Sequence, residues 1–147
     1  MGMSINGTAI TIDGKQYLAK RRDYVVAITH DAVAGSTVTG ILQIDPSSPF
    51  VWTKAHMYDT NDPSTAAPGL DGQYENFISV QDQANNYNYS NDYVIRSAFA
   101  RDRMHGFNLS PAAMIEKNTR LSISIKNPAA AAAAGTTYVT LQGYSIY

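Results

Sequence analysis

The run Leu121-Ser122-Ile123-Ser124-Ile125 alternates apolar and polar side chains without a break. A strand repeats every two residues and a helix every 3.6, so this run buries one face only as a β-strand. Looser versions recur along most of the chain, separated by turn formers such as Asp13-Gly14, Asp45-Pro46-Ser47-Ser48-Pro49 and Asn127-Pro128. Composition agrees with a β-protein. There are ten tyrosines but only two glutamates, Glu75 and Glu116. Glutamate and lysine coat solvated helices, whereas tyrosine favours strands and is enriched at protein interfaces, where Glu and Lys are depleted. The expectation is a β-protein whose outer surface is covered by neighbours.

A length of 147 residues suits one domain with one core, with no need of a disulfide or metal to fold. The chain has no cysteine, which fits a reducing compartment. Only 16% of residues are charged and the net charge is −1. Average domains carry about 25% charged residues, and a weakly charged, near-neutral surface tends to associate. Nucleic acid is excluded as the main partner, because phosphate binding needs a basic excess. No apolar stretch approaches a membrane span, and the first residues lack the basic and apolar regions of a signal peptide.

Along the chain, residues 8–18 read as a hairpin about Asp13-Gly14, which tolerates the positive φ angles of a type I′ turn. Residues 1–7 form an arm before it, and Lys20-Arg21-Arg22-Asp23 a charged joint after it. Strands follow over 24–30, 37–44, 50–58, 74–81 (with Phe77 and Val80 inward) and 92–98. Residues 59–72 form a long polar loop, and 82–91 a polar-aromatic connector. Pro111-Ala112-Ala113-Met114-Ile115-Glu116-Lys117 is either a helical turn or two, capped by Ser110, or an irregular corner. The final strand, around Tyr138-Val139-Thr140-Leu141, is expected to pair with 121–125. Its apolar phase shifts at Gly143, where a bulge would account for the change. Six alanines between these two strands are too few to hold a helix alone and form a loop. The sum is about eight strands in an antiparallel β-sandwich of jelly-roll type. The arm and hairpin occupy residues 1–22 and the sandwich 23–147.

No motif points to catalysis. The histidines His30, His56 and His105 are far apart, fit no metal spacing, and read as surface or loop residues. There is no GxSxG elbow, and Asp13, Asp31, Asp45, Asp59, Asp62 and Asp71 stand where turns need them. The 59–72 loop is rich in oxygen donors but lacks the EF-hand register. The reading is a non-enzyme without cofactor or metal. Candidate contact residues are the basic clusters Lys20, Arg21, Arg22 and Arg101, Arg103, placed to meet an acidic neighbour, and the Asn-flanked pair Tyr87 and Tyr89. That pair suits a wet protein contact or, with Trp52, a sugar platform.

Several segments in order carry a resemblance: Arg21-Arg22-Asp23-Tyr24-Val25, Leu42-Gln43-Ile44-Asp45, Phe77-Ile78-Ser79-Val80-Gln81-Asp82, His105-Gly106-Phe107-Asn108-Leu109-Ser110-Pro111, Leu121-Ser122-Ile123-Ser124-Ile125-Lys126-Asn127 and Leu141-Gln142-Gly143-Tyr144. From about residue 20 to the end, the chain resembles the small jelly-roll cement, or decoration, proteins of tailed bacteriophage capsids. The alanine run and the 59–72 loop depart from that pattern. The resemblance implies a structural virion protein on the capsid exterior, made in the host cytoplasm. It implies a homo-oligomer, dimer or trimer, that bridges neighbouring major capsid subunits and needs neither nucleic acid nor membrane. The arm, the hairpin and the basic joint are the parts expected to clamp the shell. The alternative is a carbohydrate-binding β-sandwich of a tail fibre or lectin.

Overall fold

The computed structural model describes residues 3–6, 9–60, 76–90, 92–95, 107–128 and 134–147. Eleven strands run through them: β1 (Met3–Asn6), β2 (Ala9–Ile12), β3 (Lys15–His30), β4 (Thr37–Gln43), β5 (Phe50–Asp59), β6 (Phe77–Asp82), β7 (Tyr87–Asn88), β8 (Val94–Ile95), β9 (Phe107–Ile115), β10 (Arg120–Lys126) and β11 (Gly135–Ile146). No helix occurs among the described residues. The expected all-β sandwich is therefore the fold.

One sheet has the order β1-β2-β3-β11-β5-β9. The other has β4-β10-β6, with β7 and β8 pairing opposite ends of β6. From β3 to β6 successive strands alternate between the sheets, and from β8 to β11 they do so again. Two interlocked Greek keys of this kind make a jelly roll. The anticipated pairing of 121–125 with 138–141 does not form. Strand β10 pairs with β4 and β6, and β11 with β3 and β5. Alternation tells which side chains point inward, but not which strand lies alongside.

Inward side chains of both sheets meet in one core, including Ile28, Leu42, Phe50, Trp52, Met57, Ile78, Val80, Leu121, Ile123, Ile125, Val139 and Leu141. In β6 the inward pair is Ile78 and Val80. Phe77 stands in the other phase and is half-buried, since a strand cannot turn residues three apart to one face. The 111–117 segment is not helical. Strand β9 runs to Ile115 and takes Pro111 at the sheet edge, where a missing N–H costs no ladder bond.

The hairpin forms as expected. Asp13 and Gly14 have φ of 50° and 80° and join β2 to β3 in a two-residue turn. It is not followed by a joint. Lys20, Arg21, Arg22 and Asp23 lie inside β3, a strand of 16 residues, so the boundary expected at residue 22 falls mid-strand. Ile10 and Ile12 of β2 and Ala19 of β3 bury themselves against Val51 and Ile146, with Tyr17, Ala112, Met114 and Tyr144 alongside. These residues face away from the main core. The N-terminal end of the six-stranded sheet thus curls over its own outer face and closes a second, smaller core.

That second core explains the phase change in β11. Val139 and Leu141 face the main core, whereas Tyr144 and Ile146, in the opposite phase, face the second one. The register shift does fall between Gln142 and Gly143, but the extra residue belongs to the partner strand. Lys54 pairs with Gln142 and Trp52 with Gly143, which leaves Thr53 unpaired. Pairing of β11 with β3 runs through the same residues without interruption.

Candidate functional site

Two outer sheet faces carry the surface chemistry. On the second sheet, cross-strand rows place Ile41 beside Ser122 and Gln81, and Thr39 beside Ser124 and Ser79. Ser124 and Thr39 share a hydrogen bond of 2.7 Å, and Gln83 Nε2 donates to Ser122 Oγ. All six side chains in these rows are uncharged. Among the described residues of these three strands, charges on this face appear only at the ends, at Arg120 and Lys126, the latter with its ammonium 5.5 Å from the Tyr93 ring centre. Ile41, on the edge strand β4, is 42% exposed at one end of its row, and Ser122 beside it is buried.

The first sheet's outer face, beyond the second core, carries Val25, Thr140 and His56 in one row and Ala27, Tyr138 and Tyr58 in the next. The two tyrosine rings stack at 6.3 Å with planes 25° apart. A shallow hollow of about 270 Å³ lies over them, and a neighbouring one of about 210 Å³ lies between Arg21, Lys54 and Tyr144. Gln142 borders both.

The basic cluster does not form one patch. Strand alternation turns Arg21 to the outer face and Lys20 and Arg22 the other way. Arg22 sits over the Tyr24 ring at 5.2 Å and reaches Asp45 at 4.0 Å, Lys20 sits over Tyr147 at 5.3 Å, and Arg21 meets Asp23 at 3.8 Å. Arg101 and Arg103 lie outside the described residues. So do His105 and most of the 59–72 loop.

Tyr87 and Tyr89 do come together, ring centres 5.1 Å apart and edge to face. Only Tyr87 is exposed. Tyr89 leans into the main core and packs edge-on against Trp52 at 5.3 Å, and Trp52 itself is buried. A sugar platform of Trp52, Tyr87 and Tyr89 is therefore not available. Burial pushes the Tyr89 phenol up to about 12, with the Asp82 carboxylate and Tyr87 adding to the shift. Folding thus holds this phenol neutral. Its stabilising contribution is present below pH 10 and is lost as pH rises from about 10 to about 12. Subtracting the alkaline absorbance titration of Tyr89→Phe from that of the wild type should leave a single tyrosinate step near pH 12. A step near pH 10, with the circular dichroism unchanged, would contradict the buried environment.

Several aspartates serve turns as expected. Asp31 accepts from Ser36 Oγ at 2.5 Å and Val33 N at 3.0 Å, and Asp45 from Ser47 Oγ at 2.5 Å. These donors hold both carboxyls below the usual carboxylate range. Asp59 behaves otherwise, and so does His30, which is not a surface residue. His30 is 6% exposed and Asp59 1%. His30 Nε2 donates to Asp59 Oδ2 at 2.7 Å, Asn76 Nδ2 donates to the same oxygen at 3.0 Å, and Thr137 Oγ1 donates there too. This polar knot ties the ends of β3 and β5 to the starts of β6 and β11. Among the described residues, no three His, Cys, Asp or Glu side chains gather to hold a metal.

Sequence reasoning missed Ile41, Tyr58 and Tyr138 as surface features. The signal was legible for two of them. Ile41 shares its phase with Thr37, Thr39 and Gln43, and Tyr138 stands out of phase with Val139 and Leu141. Comparison of the chain with protein-family models, curated proteins and solved structures returned no match.

Proposed function

We propose that this chain is a structural virion protein, a cement or decoration protein that binds the outside of a tailed-phage head and bridges neighbouring major capsid subunits. The observation that carries the reading is the uncharged outer face of β4, β10 and β6, with exposed Ile41 on its edge strand β4. Charged groups are expensive to desolvate, so a face of Ser, Thr, Gln and Ile is cheap to cover. Short side chains on a sheet let a second surface approach closely, and depletion of charge marks the centre of interfaces. An assembly of two or three copies would engage several capsid subunits at once. Modest contacts repeated by symmetry then hold the shell through multivalency. No enzymatic step is part of this role.

The test is co-sedimentation with expanded phage heads. Wild-type protein should pellet at a fixed ratio to capsid subunits. Ile41→Arg, which places a charge on the edge strand of this uncharged face, should weaken the association by roughly tenfold or more, the ratio that about 1.4 kcal/mol makes. Its melting temperature should match the wild type, because the side chain is exposed. Equal pelleting of the variant would remove this face from the contact. Failure of the wild-type protein to pellet would remove the function.

A further inference from the structure

We propose that the outer face of β5 and β11 is a groove for an anionic oligosaccharide. Both strands are interior to their sheet, β11 between β3 and β5 and β5 between β11 and β9. Their backbone ladders are occupied, so the groove offers no free edge to an extended peptide. Recognition has to use side chains. At one end the stacked Tyr58 and Tyr138 present ring surface, and Tyr138 is 41% exposed. A pyranose has an apolar C–H face that lies on such rings and a rim of hydroxyls that both donate and accept. Thr140, His56 and Gln142, bordering the same hollow, offer matching groups.

The cations lie at the other end. Gln142 pairs with Lys54, four residues along β11 from the Tyr138–Tyr58 pair. At the rise of a strand that is about 13 Å, longer than one sugar ring. Among the described residues Lys54 forms no ion pair, and Arg21 forms only its exposed contact with Asp23 at 3.8 Å. Such an exposed pair holds weakly and leaves the guanidinium open to a better partner. A carboxylate or sulfate on a ring further along the chain would fall between Arg21 and Lys54, while the ring at the far end rests on the tyrosines. Two cations are too few for a nucleic-acid track in a chain of net charge −1.

Calorimetry and amide-shift NMR of the full chain decide this, with a chondroitin sulfate tetrasaccharide, neutral cellotetraose and inorganic sulfate as probes. The sulfated tetrasaccharide should bind with a dissociation constant of about 1 mM or tighter. Its amide shifts should lie along β5 and β11, and cellotetraose should bind more weakly. Tyr138→Ala should weaken both sugars, and Lys54→Gln should bring the sulfated one down to the level of cellotetraose. Both side chains are on the surface, so the variants keep the fold, checked by unchanged melting. The proposal is overturned if neither sugar binds, if the two bind equally, or if Tyr138→Ala binds as the wild type does. Full competition by inorganic sulfate would also overturn it, reducing the site to a simple anion contact.

Discussion

Replacing Asp59 with alanine lowers the unfolding free energy by about 2–5 kcal/mol, the cost of leaving two buried donors unsatisfied at about 1–3 kcal/mol each. One carboxylate oxygen collects His30 Nε2, Asn76 Nδ2 and Thr137 Oγ1, and all four residues are buried. Without the acceptor, His30 Nε2 and Thr137 Oγ1 lose their partner in a place water does not reach, and each is penalised for desolvation, while Asn76 Nδ2 keeps its bond to Thr137 Oγ1 at 3.0 Å. The loss should be nearly independent of salt, because buried pairs are screened far less than surface ones. Urea unfolding followed by Trp52, the only tryptophan, measures it. A loss below about 1 kcal/mol, the net value of an ordinary hydrogen bond, would mean the knot contributes no more than a surface contact. The network joins four strand ends, so amide exchange at 28–30 and 136–138 should quicken before the core strands do.

Gly143→Ala should be the next most damaging change, at about 3 kcal/mol, the upper end for overpacking. A Cβ there would overlap the Val51 carbonyl oxygen, lie 2.9 Å from its carbon, and stand 3.0 Å from the Phe50 ring. The obstacle is backbone, which cannot rotate aside. Where space permits, Gly→Ala in extended chain gains roughly 0.4–1 kcal/mol from the unfolded state. The clash therefore sets the sign. Gly40→Ala is the useful contrast, since its Cβ would meet Ile28 Cγ1 at 2.8 Å and Val26 Cγ2 at 3.1 Å, side-chain atoms that a small rotamer adjustment moves where a backbone carbonyl cannot move. The same urea titration should rank Gly143→Ala well below Gly40→Ala. The reverse order would place the β5 bulge elsewhere than beside Gly143.

Much of the fold was legible because its signals are local. The Asp13-Gly14 turn, the break at residues 45–49 and the alternation of 121–125 each depend on a few neighbouring residues, and each stands where the sequence put it. The errors came where a distant contact decided. Lys20-Arg21-Arg22-Asp23 looked like a joint because four charges in a row rarely sit in a strand. It is a strand because β11 pairs with it residue by residue. His30 looked like a surface histidine because its partner lies 29 residues away. The outer faces were half legible: Ile41 and Tyr138 break the polar phase of their strands, but only cross-strand register brings Tyr58 beside Tyr138.

The sequence by itself determined that this chain is all-β, where most strands start and stop, and which side of each faces inward, because period-two patterning and turn chemistry act within a few residues. Tertiary structure alone decided the neighbours. It placed β10 between β4 and β6, curled the hairpin over Val51 and Ile146, and moved the extra residue of the bulge from β11 to Thr53. The physical reason is that every strand edge offers the same backbone hydrogen bonds. The choice among edges falls to packing between residues far apart in the chain, which no local pattern records.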